Sequence, residues 1–268
     1  MSQSHSRSTL LAGQVALVVG GSRGIGAATA RALGAHGAAV GVNYHTSAEA
    51  ASKLVAEIEA AGSRAVAERA DATSAADVSA LVASVSAALG DISVLVCNTV
   101  GFVEANPFDR IESGSTLAVD NADAIKDRAA IQLATTLYPI REVVPGMRRL
   151  GGGSVVLIGA TASRGRPTRG IAEVSVAKAA QDAVARALAN ELGADGIRVN
   201  TVAPGMVPTD ANAGARRDAV VTELGKATPL GRVAQVDDVA GVVVALASDL
   251  TRHLTGAYLG VDGGRSML

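Results

Sequence analysis

The chain has 268 residues, 49% hydrophobic and 18% charged, a globular composition long enough for one large domain or two small ones with a substantial core. Its 24 Lys and Arg against 25 Asp and Glu leave a net charge of −1, and 2% of the residues are aromatic, which argues against a basic nucleic-acid face and base-stacking platforms. A single cysteine, Cys97, excludes an intramolecular disulfide and a Cys/His zinc set. No apolar run reaches the roughly 18 residues of a bilayer crossing, and the opening MSQSHSRSTLLAG lacks a signal peptide's apolar core, so the expected location is cytoplasmic.

In chain order, residues 1–12 are expected to form a disordered arm and 13–268 a single domain. Gln14–Gly20 (QVALVVG) is a short apolar run ending in glycine and reads as the first strand, with helical spacing following over 25–36. Residues 38–43 and 64–70 read as strands two and three, separated by a helix at 48–61, and 75–89 is a third helix. Strands at 92–97, 154–158, 197–203 and 257–261 alternate with helices at 122–149, 171–193 and 236–248. Most of the strands are continuous apolar runs, the pattern of a sheet covered on both faces, and strand–helix alternation implies right-handed parallel crossovers. The expected fold class is therefore α/β: a Rossmann-type, doubly wound, seven-stranded mainly parallel sheet with helices on both faces.

The first strand runs into Gly20-Gly21-Ser22-Arg23-Gly24-Ile25-Gly26 at the mouth of the first helix. Glycines let the backbone turn tightly and approach a pyrophosphate, and the helix N-terminus supplies free N–H groups and partial positive charge. After the second strand, Asn43-Tyr44-His45-Thr46 offers no carboxylate to a ribose 2′-hydroxyl. Arg23 offers a forked guanidinium to a 2′-phosphate. The pattern predicts NADP(H); the alternative reading of Arg23 is a solvated loop residue.

Further segments extend this pattern along the chain. Asp71 follows the third strand, Arg198-Val199-Asn200-x-Val202-x-Pro204-Gly205-x-Val207-x-Thr209 follows the fifth helix, and Thr228-Pro229-Leu230-Gly231-Arg232 precedes Val261-Asp262-Gly263-Gly264. With Gly20-x-x-x-Gly24-x-Gly26, these make the chain resemble the short-chain dehydrogenase/reductases over about residues 12–264. The resemblance implies that Asp71, with Ala72 beside it, contacts adenine. It implies that Asn98 and Thr99 line the cofactor and that Pro204, Gly205, Val207 and Thr209 cradle the nicotinamide. It also implies a substrate lid at about 209–227 and a homodimer or homotetramer built on the fourth and fifth helices and on the last helix and strand.

The same resemblance places a catalytic Tyr four residues before a Lys, one helical turn apart on one face. Here Lys178 is present, but Val174 stands four residues earlier. The family's Ser falls on Ala160, with Thr161 next to it as a substitute, and its Asn falls on Gln132. Lys178, Gln132 and Thr161 are thus the candidate catalytic residues. Arg164, Arg166 and Arg169 either ring the mouth of the site or form a solvated basic loop. None of the three tyrosines, Tyr44, Tyr138 and Tyr258, lies one turn before a lysine. An acceptor that needs no side-chain acid fits this set, such as a quinone, and quinone-reducing relatives in aromatic polyketide pathways have that chemistry. The expected substrate is a small, aromatic or quinoid molecule. The other reading is a non-catalytic NADP(H)-binding partner subunit or cofactor sensor.

Overall fold

The computed structural model describes residues 9–99, 122–165, 171–213 and 217–267. Its elements are β1 (Val15–Val19), α1 (Gly24–Ala35), β2 (Ala39–Tyr44), α2 (Ala48–Ala60), β3 (Ala65–Arg69), α3 (Ala75–Leu89), β4 (Val94–Cys97) and α4 (Ala122–Leu150). They continue with β5 (Gly153–Ile158), α5 (Ala172–Leu192), β6 (Ile197–Pro204), α6 (Arg217–Lys226), α7 (Val236–Ala247) and β7 (Tyr258–Val261). The strands form one seven-stranded parallel sheet in the order β3-β2-β1-β4-β5-β6-β7. Among the described residues, no helix is long and apolar enough to cross a membrane.

Alternate residues of each central strand feed two cores, because successive side chains leave a strand on opposite faces. On one face Ala16, Val18, Val40, Val42, Val94 and Val96 pack against Leu33 of α1, Ile58 of α2 and Val243 of α7. On the other, Leu17, Val19, Leu95, Val155 and Leu157 pack against Val85 of α3, Met147 of α4 and Ala189 of α5. Burial on both sides is why the strands carry no polar–apolar alternation.

The expected arm needs correction at its inner end. Residues 1–8 lie outside the described residues, but 9–12 form a turn in which Leu11 is buried and its N–H donates to the His36 carbonyl (3.0 Å). An apolar side chain seated in the core and a bonded backbone tie this segment to the end of α1.

The order of the strands reverses direction between β1 and β4. In such sheets a crevice opens at the switch point beyond the C-terminal strand ends. The segments after β1, β2, β3, β4, β5 and β6 all emerge on that edge, and with the last residues of β2 and β6 and the start of α1 they carry the candidate residues, apart from Gln132 on α4 and Lys178 on α5.

Candidate active site

The glycine turn is built as a close backbone crossing. Gly20 and Gly24 have φ of +72° and +53°, in the left-handed region that favours glycine. A Cβ at Gly26 would lie 2.2 Å from the Gly20 carbonyl oxygen and 2.7 Å from Asn98 Nδ2, so only glycine lets the start of α1 sit against the turn. Arg23 is the N-cap of α1 and is exposed, with Ser22 and Ile25 half-buried beside it. No side chain caps this helix end, so its first N–H groups face the crevice, the arrangement that receives a phosphate.

Asn43 ties the crevice wall together from a fully buried position. Its Oδ1 accepts from Gly20 N (3.1 Å), and its Nδ2 donates to the carbonyls of Tyr44, Glu68 and Ala70. Asn98 Nδ2 donates to the Gly20 carbonyl at 2.9 Å. These two asparagines therefore act as structural ties to the turn.

Beyond β2, His45 and Thr46 are exposed and Tyr44 is half-buried against the first core. Arg69 at the end of β3 donates from Nε to the His45 carbonyl at 3.2 Å. It adds a second exposed guanidinium, besides Arg23, that sequence reasoning missed. Its only signal was a charge closing a strand whose neighbour in register is Tyr44. Asp71 accepts from Thr73 N (2.8 Å) and Thr73 Oγ1 (2.7 Å). These bonds, with the positive field of His45, hold its carboxyl below the usual carboxylate range, leaving an ionised acceptor at the rim. Ala72 beside it is buried.

After β6, Pro204 and Val207 are buried, and a Cβ at Gly205 would meet Asp262 Cβ at 2.8 Å. The chain then crosses back to the glycine turn, where Thr209 Cγ2 comes within 3.2 Å of a Cβ built on Gly24. Thr209 is held in turn by Asn212, whose Oδ1 accepts from Thr209 N at 2.9 Å. The two ends of the crevice thus meet. Arg198 and Asn200 of the same motif point elsewhere: Arg198 donates to the Leu246 carbonyl (2.6 Å) and Asn200 to the Leu254 carbonyl (2.9 Å). They anchor the end of α7 and the approach to β7.

Lys178 is 4% exposed and donates from Nζ to the Ile158 carbonyl (2.6 Å) and to Gln181 Oε1 (3.2 Å). Burial, and after it the nearby Arg128 guanidinium, pull its ammonium down to about 7. Gln132 is also buried; its Nε2 lies 3.4 Å from the Thr99 carbonyl and 3.5 Å from Thr136 Oγ1. Gln132 Oε1 and Thr99 Oγ1 are buried without a partner among the described residues. Two buried polar atoms left without a partner on one wall fit a bound polar group. Cys97 lies in the same wall, and burial pushes its thiol up to about 12. It stays protonated and packs as a small apolar residue.

Val174 lies on α5 one turn before Lys178 and presents no titratable group. Thr161 opens a short 3-10 turn, Thr161–Ser163, and its methyl group faces Gly260 of β7. No hydrogen bond joins it to Lys178 or Gln132 among the described residues. Arg164 is not a free cation at the mouth. Its guanidinium lies 4.2 Å over the Tyr258 ring and reaches Asp182 at 2.8 Å, because Asp182 is a buried carboxylate that needs a counter-charge. Arg166 and Arg169 lie outside the described residues. Tyr258, missed by sequence reasoning, bonds the Ala160 carbonyl (2.8 Å) and Ser163 Oγ (3.1 Å), pinning the loop after β5 to the edge strand. No metal-binding cluster occurs among the described residues.

The residues present fit a dinucleotide. A cradle that one Cβ would fill, an uncapped helix end and two orphaned polar atoms lie on one crevice. Comparison with known proteins agrees. A family model described as Enoyl-(Acyl carrier protein) reductase matches residues 19–266. An uncharacterized oxidoreductase of Methylorubrum extorquens is 37% identical over 95% of this chain and 98% of its own length. The 2,5-dichloro-2,5-cyclohexadiene-1,4-diol dehydrogenase LinX of Sphingobium indicum is 33% identical over 96% and 98%. Among solved structures, a blue fluorescent protein from a metagenomic library, in complex with NADPH, superposes with a TM-score of 0.81 at 34% identity, covering 96% of this chain and 99% of that one.

Proposed function

The chain belongs to the short-chain dehydrogenase/reductase family, and from that premise we propose that this oxidoreductase uses NADPH to reduce a quinone or similarly activated acceptor without an obligatory side-chain acid. The observation that carries the reading is the pair Val174 and Lys178. One turn before a buried lysine, on the face where the family's tyrosine belongs, stands a side chain with no proton to give.

The energetics then select the acceptor. Reducing an ordinary ketone makes an alkoxide whose conjugate acid has a pKa of roughly 16, like water. A positioned general acid contributes about 10²–10⁴-fold to such a step. Reducing a quinone makes a phenolate-like anion with a conjugate acid near about 10. The difference of about six units is roughly 8 kcal/mol in proton affinity, so that anion can collect its proton from water afterwards.

NADPH, when bound, supplies the hydride. Lys178 directs an N–H toward the nicotinamide ribose, and the Pro204–Thr209 segment orients the carboxamide. The N-terminus of α1, with Gly20 to Gly26, receives the pyrophosphate. Arg23 and Arg69 meet the 2′-phosphate, and Asp71 meets the adenine. Positioning supplies the rate. An NADPH complex among the similar structures and a cyclic 1,4-diol in the name of one relative support cofactor and substrate shape. Assembly as a homodimer or homotetramer is part of the same proposal, supported by Leu137 on α4 and Val176 on α5, exposed at 38% and 44%.

The test is cofactor oxidation, followed by absorbance, with NADPH and a panel of small quinones. Turnover is expected, and it is expected to survive Thr161→Val. Strict dependence on Thr161 would overturn the acid-free mechanism. Firm NADPH binding with no turnover on any quinone would identify a partner subunit or sensor instead.

A further inference from the structure

We propose that Gln181 is a positioning residue for Lys178, its side-chain carbonyl holding the lysine nitrogen at the end of β5, a task Val174 cannot perform. The inference rests on the reading of Lys178 as the group that meets the cofactor ribose.

Gln181 is fully buried on α5, between buried Ala177 and Ala185 one turn to either side, with Lys178 and Asp182 buried beside it. A leucine there would fill the space without desolvating an amide, so a buried glutamine is retained at a cost unless both its ends are bonded. Both are. Its Nε2 donates to Thr136 Oγ1 of α4 at 3.2 Å, and its Oε1 accepts from Lys178 Nζ at 3.2 Å.

The amide's orientation follows from its neighbours. Thr136 has one hydroxyl hydrogen, and it goes to the Gln132 carbonyl at 2.7 Å. Its oxygen is therefore an acceptor toward everything else. Gln181 must turn its NH₂ to Thr136 and its carbonyl to Lys178. The Lys178 ammonium then has two of its three N–H groups committed, to Ile158 O and Gln181 Oε1, and the third is aimed by elimination. Aim is thus set by the packing of α4 on α5. Among the described residues, the charged and titratable groups facing Lys178 are Arg128 of α4 and Cys97 of β4. Asp182, one turn further along α5, is turned to Arg164 and Arg186, and β5 presents the Ile158 carbonyl.

An acceptor facing the ammonium favours the protonated form. The experiment is NADPH affinity by fluorescence titration of the full-length protein, across the pH range on both sides of neutrality, with the Lys178 ε-carbon followed by NMR in the cofactor-free protein. In the wild type, affinity falls as pH rises through the Lys178 titration. Gln181→Leu removes the acceptor and moves that fall to lower pH by about one unit. Gln181→Glu adds a carboxylate and moves it to higher pH. Thr136→Val loosens the amide and moves it in the direction of Gln181→Leu, by less. A merely structural defect would not shift a titration in opposite directions in two variants. If the Lys178 titration stays put in both Gln181 variants, or in Thr136→Val and whichever Gln181 variant folds, the proposal is overturned. If Lys178→Met binds NADPH as the wild type does while the ε-carbon titration still shifts both ways, Gln181 keeps its role and the ribose reading fails.

Discussion

At the scale of the residue, Lys178 makes stability depend on pH. Its folded-state value of about 7 lies below its ordinary 10.5. Below the folded value, both folded and unfolded chains carry the charge, and the folded chain bears the full desolvation cost. Between the two values the unfolded chain binds the extra proton, so stability rises with pH. Above the ordinary value the cost is gone. Urea midpoints are expected to climb from just below pH 7 toward pH 10 more steeply in the wild type than in Lys178→Met; parallel curves would contradict a buried, depressed lysine. The proposed preference for NADPH also rests on single residues. Arg23→Ala and Arg69→Ala are each expected to raise the KM for NADPH far more than that for NADH, and equal losses would remove the 2′-phosphate assignment. The exposed place of Arg23 at the mouth of α1 was legible because it sits inside a glycine turn. Arg69 and Gln181 were not, since nothing local says that a strand-end arginine meets the loop after β2, or that a glutamine on an alanine-rich helix faces inward to a lysine.

At the scale of the element, the strands and most helices were legible within a residue or two, because continuous apolar runs and helical spacing survive without tertiary context. Helix α4 runs unbroken through Pro139 and Pro145, as its spacing implied. Helix α6 lay hidden in the segment read as a lid, where burial is confined to Gly225 among its described positions and leaves no apolar stripe. The glycine turn was legible in kind, but its tightness was not. Gly26→Ala must displace both the Gly20 carbonyl and the Asn98 amide. It is expected to cost about 1–3 kcal/mol and most of the NADPH affinity, read by thermal melting and by titration. The Tyr258 tie between β7 and the loop after β5 escaped sequence reasoning altogether, since the two segments are 98 residues apart. Tyr258→Phe keeps the ring against Arg164 and loses two hydrogen bonds. A loss of about 1–3 kcal/mol is expected for the two bonds, with faster amide exchange in the Thr161–Ser163 turn as its local signature.

At the scale of the whole molecule, two cores share one sheet, so the central strands are protected from both sides while β3 and β7 are its edges among the described residues. Hydrogen exchange should be slowest in β1, β4 and β5 and fastest among the strands in β3 and β7; uniform protection would mean that the edges are covered in an assembly. The strand reversal collects six loops on one rim, which is why motifs spread across most of the chain report on one crevice. The scarcity of aromatic residues has a last, optical consequence. The protein has no tryptophan and three tyrosines, so no indole drains their excitation. Tyr258, its hydroxyl bonded and its ring under a guanidinium, pins the loop after β5, and Tyr44 closes β2 at the edge of the crevice. Their ultraviolet emission is an intrinsic reporter of what enters it, without any attached dye.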